Sequence, residues 1–153
     1  MTWTPGSGRC AHIGATLGLD LGAFSDAEVL AGWDDRGVRT LVIVDDHTGF
    51  RASARALLEL DDFDVVGEAG DGAGALTAVG RLAPEVVLLD IGLPDMSGFD
   101  VAELISSRTA VVLVSSRSPD QVSKRARGCG AVGFIAKDEL TGAALEALVA
   151  AAP

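Results

Sequence analysis

The sequence PEVVLLDIGLPDMSG, residues 84–98, decides the fold of this chain. It places a short run of valine and leucine, Val86–Leu89, directly before Asp90 and a loop that contains glycine and proline. A short apolar run that is bounded by turn residues is typical of a strand buried on both faces of a sheet. We therefore predict a buried strand whose carboxyl end presents an aspartate.

The same pattern recurs on both sides of this stretch. Apolar runs of the same kind predict four further strands, and stretches with helical spacing separate them. Strands that alternate with helices indicate βαβ units and a parallel sheet. The predicted fold is therefore α/β, a doubly wound (βα)5 parallel sheet, and for its strand order we take the flavodoxin-like 2-1-3-4-5, a common order among such sheets. The further strands are predicted at Thr40–Val44, around Val65–Val66, at Ala110–Val114 and at Val132–Ala136.

Five helices are predicted between and after the strands. Pro84 stops the second helix, Pro119 opens the fourth in its first turn, and the fifth runs from about Asp138 to Ala151. The inward positions of the other helices follow from their spacing, and the third helix is short. The residues predicted to face inward are Phe50, Ala54, Leu57 and Leu58 in the first helix, Ala75, Leu76, Val79 and Leu82 in the second, Val101, Leu104 and Ile105 in the third, and Leu140, Ala144, Leu145 and Leu148 in the fifth.

Composition limits the class of protein. The chain has 153 residues, of which 48% are hydrophobic and 22% charged, so we expect one globular domain over residues 39–153. The net charge of −10 argues against a general nucleic-acid-binding surface, and no apolar run is long enough for a membrane helix. Cys10 and Cys129 fit no zinc or disulfide spacing, and we expect two reduced thiols in a cytoplasmic protein.

Residues 1–38 differ from the rest of the chain. They contain seven glycines and no sustained period, apart from a capping-box pattern that begins at Ser25. We expect this segment to be flexible, or to lie upstream of a true start at Val38.

Polar residues follow four of the predicted strands. Asp45 and Asp46 follow the first, Asp90 ends the third, Ser115 ends the fourth and Lys137 follows the fifth. In an open parallel sheet the ligand crevice lies at the carboxyl ends of the strands, where the strand order reverses. Because strands one and three are neighbours in the predicted order, we expect the three carboxylates to converge.

Three clustered carboxylates repel one another unless a cation joins them. A hard divalent ion such as Mg²⁺ binds a few carboxylates and keeps waters that phosphoryl oxygens can replace. An ammonium and a hydroxyl on the other side would stabilise a phosphoryl group held on a carboxylate. Taken singly, each of these residues also fits a turn, a helix cap or a solvated strand end.

The chain resembles the receiver domains of two-component response regulators over residues 39–152. The resemblance is carried by LVIVDDHTGFRASARALLE, VVGEAGDGAGAL, PEVVLLDIGLPDMSGFDV, VVLVSS and GAVGFIAKD. Its most specific element is Asp90-x-x-x-Pro94-x-x-x-Gly98, the family's loop after the phosphoacceptor. The Asp-Asp-His sequence and Lys137-Asp138 are similar to the NarL-like branch, whose members usually carry a DNA-binding domain. We predict a receiver without an output domain.

The resemblance implies a role for each candidate site residue. Asp90 would be the phosphoacceptor, and Mg²⁺ would be bound by Asp45, Asp46, Asp90 and the backbone carbonyl of Gly92. Ser115, Lys137 and Phe134 would stabilise the phosphoryl group and switch the conformation, and Gly92 and Arg117 would set its lifetime. His47 is expected to be a polar loop residue. Asp138 replaces the proline that follows the lysine in many relatives within a cis peptide, and a cis bond would be costly here.

The resemblance also implies the partners. A sensor histidine kinase would donate the phosphoryl group, and output would pass to a downstream protein or through a phosphorylation-dependent dimer. Direct contacts with nucleic acid or membrane are not expected, and no enzymatic activity beyond self-phosphorylation and slow self-dephosphorylation is expected.

Three alternatives remain at this point. Gly70-Asp71-Gly72-Ala73-Gly74-Ala75 fits the dinucleotide-binding pattern G-x-G-x-x-A after a strand, with Asp90 twenty residues on. A dehalogenase-type phosphatase also uses an aspartate nucleophile, but its second aspartate would stand where His47 is. A scaffold without phosphorylation has no positive support, because all five chemical positions hold competent residues.

Overall fold

The computed structural model describes residues 38–117 and 119–152, without the side chains of residues 119–121 and 123. The predictions for residues 1–37, including the capping box and Cys10, lie outside these ranges. Cys129 lies inside them and is a buried free thiol. Across the described ranges, no helix is both long and apolar enough to cross a bilayer.

Five parallel strands form one sheet in the order β2-β1-β3-β4-β5, as predicted. The strands and helices alternate along the chain, and a single 3-10 turn at Lys137–Glu139 follows the last strand. The strands are β1 Arg39–Val44, β2 Phe63–Ala69, β3 Val86–Asp90, β4 Ala110–Ser115 and β5 Gly133–Ala136. The helices are α1 Thr48–Leu60, α2 Gly72–Leu82, α3 Gly98–Ile105, α4 Pro119–Gly128 and α5 Gly142–Ala150.

The central strands are buried because helices cover both faces of the sheet. Alternate residues of each strand point to opposite faces, so Val42 and Val44 pack with α2, α3 and α4, whereas Leu41 and Ile43 pack with α1 and α5. The same alternation holds in β3 and β4. The sheet therefore separates two apolar cores, which explains why its strands read as continuous apolar runs.

The structure corrects three helical details. Helix α5 begins at Gly142 rather than near Asp138, because Leu140 is extended and the Thr141 hydroxyl caps the helix by accepting from the Ala144 N–H at 3.0 Å. Leu57 and Leu104, which share the helical spacing, are 36% and 59% exposed. Both lie at the edge of the apolar stripe of their helix and face solvent.

Candidate functional site

The carboxyl ends of β1, β3 and β5 bring the predicted charged residues together. Asp45 follows β1 and is fully buried, and Asp90 ends the neighbouring β3 and is 5% exposed. Lys137 follows β5, and its Nζ lies 2.6 Å from Asp45 Oδ2 and 3.6 Å from Asp90 Oδ2. Asp46 lies beside this group at the surface. The chain thus buries two carboxylates against one ammonium.

The ring of Phe50 forms part of the wall of this site. The Lys137 ammonium lies 4.6 Å from the centroid of that ring, within the range of a cation–π interaction. Sequence reasoning assigned Phe50 only to the core, because helical spacing cannot show which residue at the start of α1 faces a lysine from β5.

The environment of Asp90 disfavours its charge. Burial raises the pKa of the Asp90 carboxyl, and the neighbouring Asp45 carboxylate raises it further. The Lys137 ammonium and the Gly92 N–H, which lies 3.4 Å from Asp90 Oδ1, act in the opposite direction but do not outweigh burial. An added cation would therefore stabilise the ionised form.

The donor set fits a metal ion. Ligand atoms from Asp45, Asp46, His47 and Asp90 all lie within 4.8 Å of one another, so the group could hold a cation. Asp45 Oδ2 is buried and lies 2.6 Å from Lys137 Nζ, so in this structure its charge is paired with that ammonium. A buried carboxylate oxygen is also a suitable ligand for a hard cation.

His47 is exposed, as expected, but it is more than a polar loop residue. Its Nδ1 lies 3.0 Å from Asp46 Oδ1 and 3.2 Å from Asp45 Oδ1. The backbone N–H of His47 also donates to Asp45 Oδ1 at 2.8 Å, so the Asp45 carboxylate stabilises the turn that follows β1.

Ser115 and Phe134 lie on the adjacent edge of the sheet. Asp90 pairs with Val114 in the strand register, which places buried Ser115 one residue further along β4. The Ser115 hydroxyl accepts a hydrogen bond from the exposed Arg117 N–H at 3.0 Å. Phe134 pairs with Leu113 and packs, partly buried, against the core under α2, α3 and α4.

The geometry of the loop between Asp90 and α3 explains why residue 98 is a glycine. The Gly98 N–H donates to the Ile91 carbonyl at 2.8 Å, so the loop closes on itself. A Cβ at Gly98 would collide with the Asp90 carbonyl and the Ile91 backbone. Glycine is therefore required where α3 begins, because the helix backbone directly approaches the end of β3.

The glycine-rich stretch between β2 and α2 does not form a dinucleotide site. Asp95 from the β3–α3 loop accepts hydrogen bonds from the Gly72 and Ala73 N–H groups at 2.7 and 2.9 Å. The Asp71 carboxylate accepts from the Gly74 N–H at 2.6 Å. Carboxylates therefore occupy the N–H groups that a pyrophosphate would need, so the structure does not favour the dinucleotide alternative.

Arg51 is a site residue that sequence reasoning missed. Its Nη1 donates to the Asp45 carbonyl at 2.5 Å, and its Nε donates to Glu68 Oε1 at 3.1 Å. Arg55 binds the other oxygen of Glu68 at 2.6 Å. The sequence offers no clear sign of this role, because Glu68, the acidic partner of Arg51, lies on β2 and only the fold brings α1 and β2 together.

Comparison with known families agrees with this geometry. Residues 41–150 match the family model described as the response regulator receiver domain. The nitrate/nitrite response regulator NarP of Escherichia coli is 38% identical over 118 residues, which are 73% of this chain and 54% of that protein. The transcriptional activator EvgA of the same organism is 31% identical over 101 residues, 64% of this chain and 50% of that protein. The chain thus spans about half the length of these curated relatives.

Solved structures show the same arrangement of strands. The receiver domain of NarL from Mycobacterium tuberculosis is 36% identical, covers 72% of this chain and 95% of its own, and superposes with a TM-score of 0.66. The response regulator domain of Thermotoga maritima CheB is 26% identical, covers 76% and 99%, and gives a TM-score of 0.67. The family match, the strand order and the buried acidic site lead to one conclusion: this chain belongs to the receiver domains of two-component response regulators, the modules of phosphorelay signalling.

Proposed function

We propose that Asp90 is the residue that accepts the phosphoryl group from a sensor histidine kinase. The observation that carries the proposal is the position of Asp90, buried between the Asp45 carboxylate and the Lys137 ammonium at the carboxyl edge of the sheet. No other carboxylate in the described part of the chain is both buried at this edge and paired in this way, apart from Asp45 itself, which follows the strand and is held by the His47 N–H.

The chain's own residues can support the transfer. An Asp90 carboxylate oxygen attacks the phosphorus, the bond from phosphorus to the donor nitrogen breaks, and the nitrogen keeps the electron pair. Lys137 is close enough to both carboxylates to turn its ammonium toward the new phosphoryl oxygens. Asp45, Asp46, Asp90 and the Gly92 carbonyl would hold Mg²⁺, which supplies positive charge against the phosphoryl oxygens when bound.

The output of the switch would be a change in protein contacts. Ser115 would move toward the phosphoryl group and break its hydrogen bond with the Arg117 N–H. Phe134 is only partly buried, so it can follow into the space that Ser115 leaves. We expect the altered β4–β5 face to bind a downstream protein or a second copy of the chain in the cytoplasm, without direct contacts with nucleic acid or membrane.

The domain itself would catalyse little beyond its own phosphorylation from small donors and a slow self-dephosphorylation. Gly92 is exposed and offers no side chain to orient a water, and Arg117 cannot act as a base at neutral pH. We therefore expect a long-lived phosphoryl group.

Beryllofluoride, which mimics a phosphoryl group on a carboxylate, tests the proposal. Bound fluorine resonances should appear in the presence of Mg²⁺ with the full chain and should be absent from Asp90→Asn. Amide exchange in β4 and β5 should slow in the complex, and Asp62→Asn, an exposed carboxylate outside the site, should behave like the wild type. Bound beryllofluoride in Asp90→Asn would contradict the assignment of Asp90, and unchanged exchange in β4 and β5 would contradict the switch.

A further inference from the structure

We propose that Asp95 is a positioning residue for the reaction at Asp90, because it fixes the β3–α3 loop to the first turn of α2. The loop, residues 91–97, contains Gly92, which lies beside the Asp90 carboxylate. The inference rests on the proposed function, since it gives Asp95 an effect on the phosphorylation of Asp90. Asp95 would act through the backbone of the loop and not on the phosphoryl group itself.

The Asp95 carboxylate makes two hydrogen bonds with a helix to which it does not belong. Its Oδ1 accepts from the Gly72 N–H at 2.7 Å, and its Oδ2 accepts from the Ala73 N–H at 2.9 Å. The first N–H groups of an α-helix have no acceptor within the helix. These two bonds lower the pKa of Asp95, so the carboxylate is ionised at neutral pH and both oxygens can accept. Asp95 therefore supplies acceptors that α2 itself lacks.

Close packing at Gly72 supports the same contact. Gly72 is buried, and a Cβ at this position would collide with the Met96 side chain and lie 3.2 Å from Asp95 Oδ1. Two consecutive residues of the loop, Asp95 and Met96, thus lie directly against the start of α2. The tip of the loop is therefore anchored on this helix both by hydrogen bonds and by packing.

The base of the loop is held by β3 and α3. The Gly98 N–H donates to the Ile91 carbonyl at 2.8 Å, and Gly92 pairs with Ser97 in an isolated antiparallel bridge. Residues 92–97 thus form a small hairpin with its base at the sheet and its tip on α2. Gly92 is exposed and has no side chain that could pack, so the position of its backbone depends on these two anchors.

The position of Gly92 matters because its backbone faces Asp90. The Gly92 N–H lies 3.4 Å from Asp90 Oδ1, and the Gly92 carbonyl is the proposed backbone ligand of the metal. Misplacement of a group by about 1 Å can slow a reaction by about a hundredfold. Loss of the anchor at Asp95 would let the hairpin move and would slow phosphorylation, although every group at the site would still be present.

Asp71 provides a matched control, because the alternative is that Asp95 only stabilises α2. Asp71 is the N-cap residue of α2, and its carboxylate accepts from the Gly74 N–H at 2.6 Å. That hydrogen bond stays within the start of the helix and does not involve the loop. Asp95→Ala and Asp71→Ala each remove a carboxylate from the start of α2, and both should lower Tm.

Phosphorylation of the full chain by acetyl phosphate, followed by intact mass at saturating Mg²⁺ and well below both Tm values, tests the inference. Asp95→Ala should lower the rate constant by about tenfold, a common effect for residues that hold the residues of a metal site in place. Asp71→Ala should change it by less than about twofold. Equal loss of rate in the two variants, or a wild-type rate in Asp95→Ala, would overturn the inference.

Amide hydrogen exchange in the free protein measures the loop without phosphorylation. The Gly98 N–H, which closes the base of the hairpin, should exchange severalfold faster in Asp95→Ala than in the wild type. Its exchange should be unchanged in Asp71→Ala, where the Gly74 N–H should exchange faster instead. Unchanged exchange of Gly98 in Asp95→Ala would show that the base alone fixes the loop, and would contradict the proposed anchor.

The wild-type reaction separates this inference from the proposed function. Absence of labelling in the wild type would overturn the proposed function and, with it, the effect of Asp95 on phosphorylation. Normal labelling of the wild type with equal rates in the two alanine variants would overturn the role of Asp95 alone.

Discussion

Asp90 is held in surroundings that resist its own charge. Burial and the Asp45 carboxylate raise its pKa, and one shared ammonium does not compensate for them. A group placed in this way weakens the folded state at neutral pH and is stabilised when a cation or a phosphoryl group with its metal arrives. The unfavourable charge of Asp90 is therefore linked to its proposed role, because binding of a cation or a phosphoryl group at the site stabilises the folded state.

Removal of this charge should stabilise the domain. In the metal-free protein at pH 7, Asp90→Asn should raise Tm by at least about 2 °C, the shift that a few tenths of a kcal/mol produces in a domain of this size. The folded state holds the Asp90 proton more tightly than the unfolded state, so wild-type stability relative to the variant falls as pH rises through the raised pKa. The difference in Tm should accordingly shrink on acidification. Asp62→Asn serves as the control, and a lower Tm for Asp90→Asn would contradict this account.

In the proposed function, Gly92 influences how long the phosphoryl group persists. Gly92 has open space where a side chain would begin, so Gly92→Asn should fit without distortion. The new amide can hold a water in line with the phosphorus, and we expect phosphate release to become severalfold faster. Single-turnover release measured at saturating Mg²⁺ checks this expectation. Equal or slower release would mean that access, rather than orientation, sets the lifetime.

At the scale of the elements, the loop between β3 and α3 connects Asp90, the proposed phosphoacceptor, to the neighbouring helices. Gly98 brings the first turn of α3 against the Asp90 carbonyl, and Asp95 caps α2 across the loop. The pKa of Asp95 is lowered, chiefly by its hydrogen bonds from the Gly72 and Ala73 N–H groups. Two helices and one strand therefore meet at this loop, and a change at Asp90 can reach both helices.

A pair of glycine substitutions tests this close approach. Gly98→Ala would force a Cβ into the Asp90 backbone and should destabilise the domain by about 1–3 kcal/mol, as overpacking does. Gly80→Ala, in an exposed position of α2 with open space around it, should instead stabilise by about 0.5–1 kcal/mol. Chemical denaturation of both variants measures the difference. Equal stability of the two would show that α3 does not need glycine at its first residue.

At the scale of the whole molecule, sequence predicted the architecture more completely than the site. The apolar runs and their spacing predicted five parallel strands, and the expected order 2-1-3-4-5 placed Asp45, Asp90 and Lys137 at one edge of the sheet, as the structure shows. Arg51 and Phe50 escaped prediction because their partners lie on other elements, and only packing brings those elements together. The predicted start of α5 was too early for a local reason. The apolar spacing already includes Leu140, but the backbone is extended there and becomes helical only after the Thr141 cap.

The resemblance to a known family and the geometry of the site support each other but come from different features. The family match covers residues 41–150 and identifies the class of domain. The distances around Lys137 show that this particular chain brings the required charges together.

Phosphorylation by acetyl phosphate tests the central claim most directly. We predict that the intact mass of the full chain increases by one phosphoryl group when acetyl phosphate and Mg²⁺ are present. The added phosphoryl group should be lost on treatment with acid, and Asp90→Asn should show no increase in mass. Asp62→Asn should be labelled as the wild type is. Labelling of Asp90→Asn at the wild-type level, or a phosphoryl group mapped to a residue other than Asp90, would contradict the account.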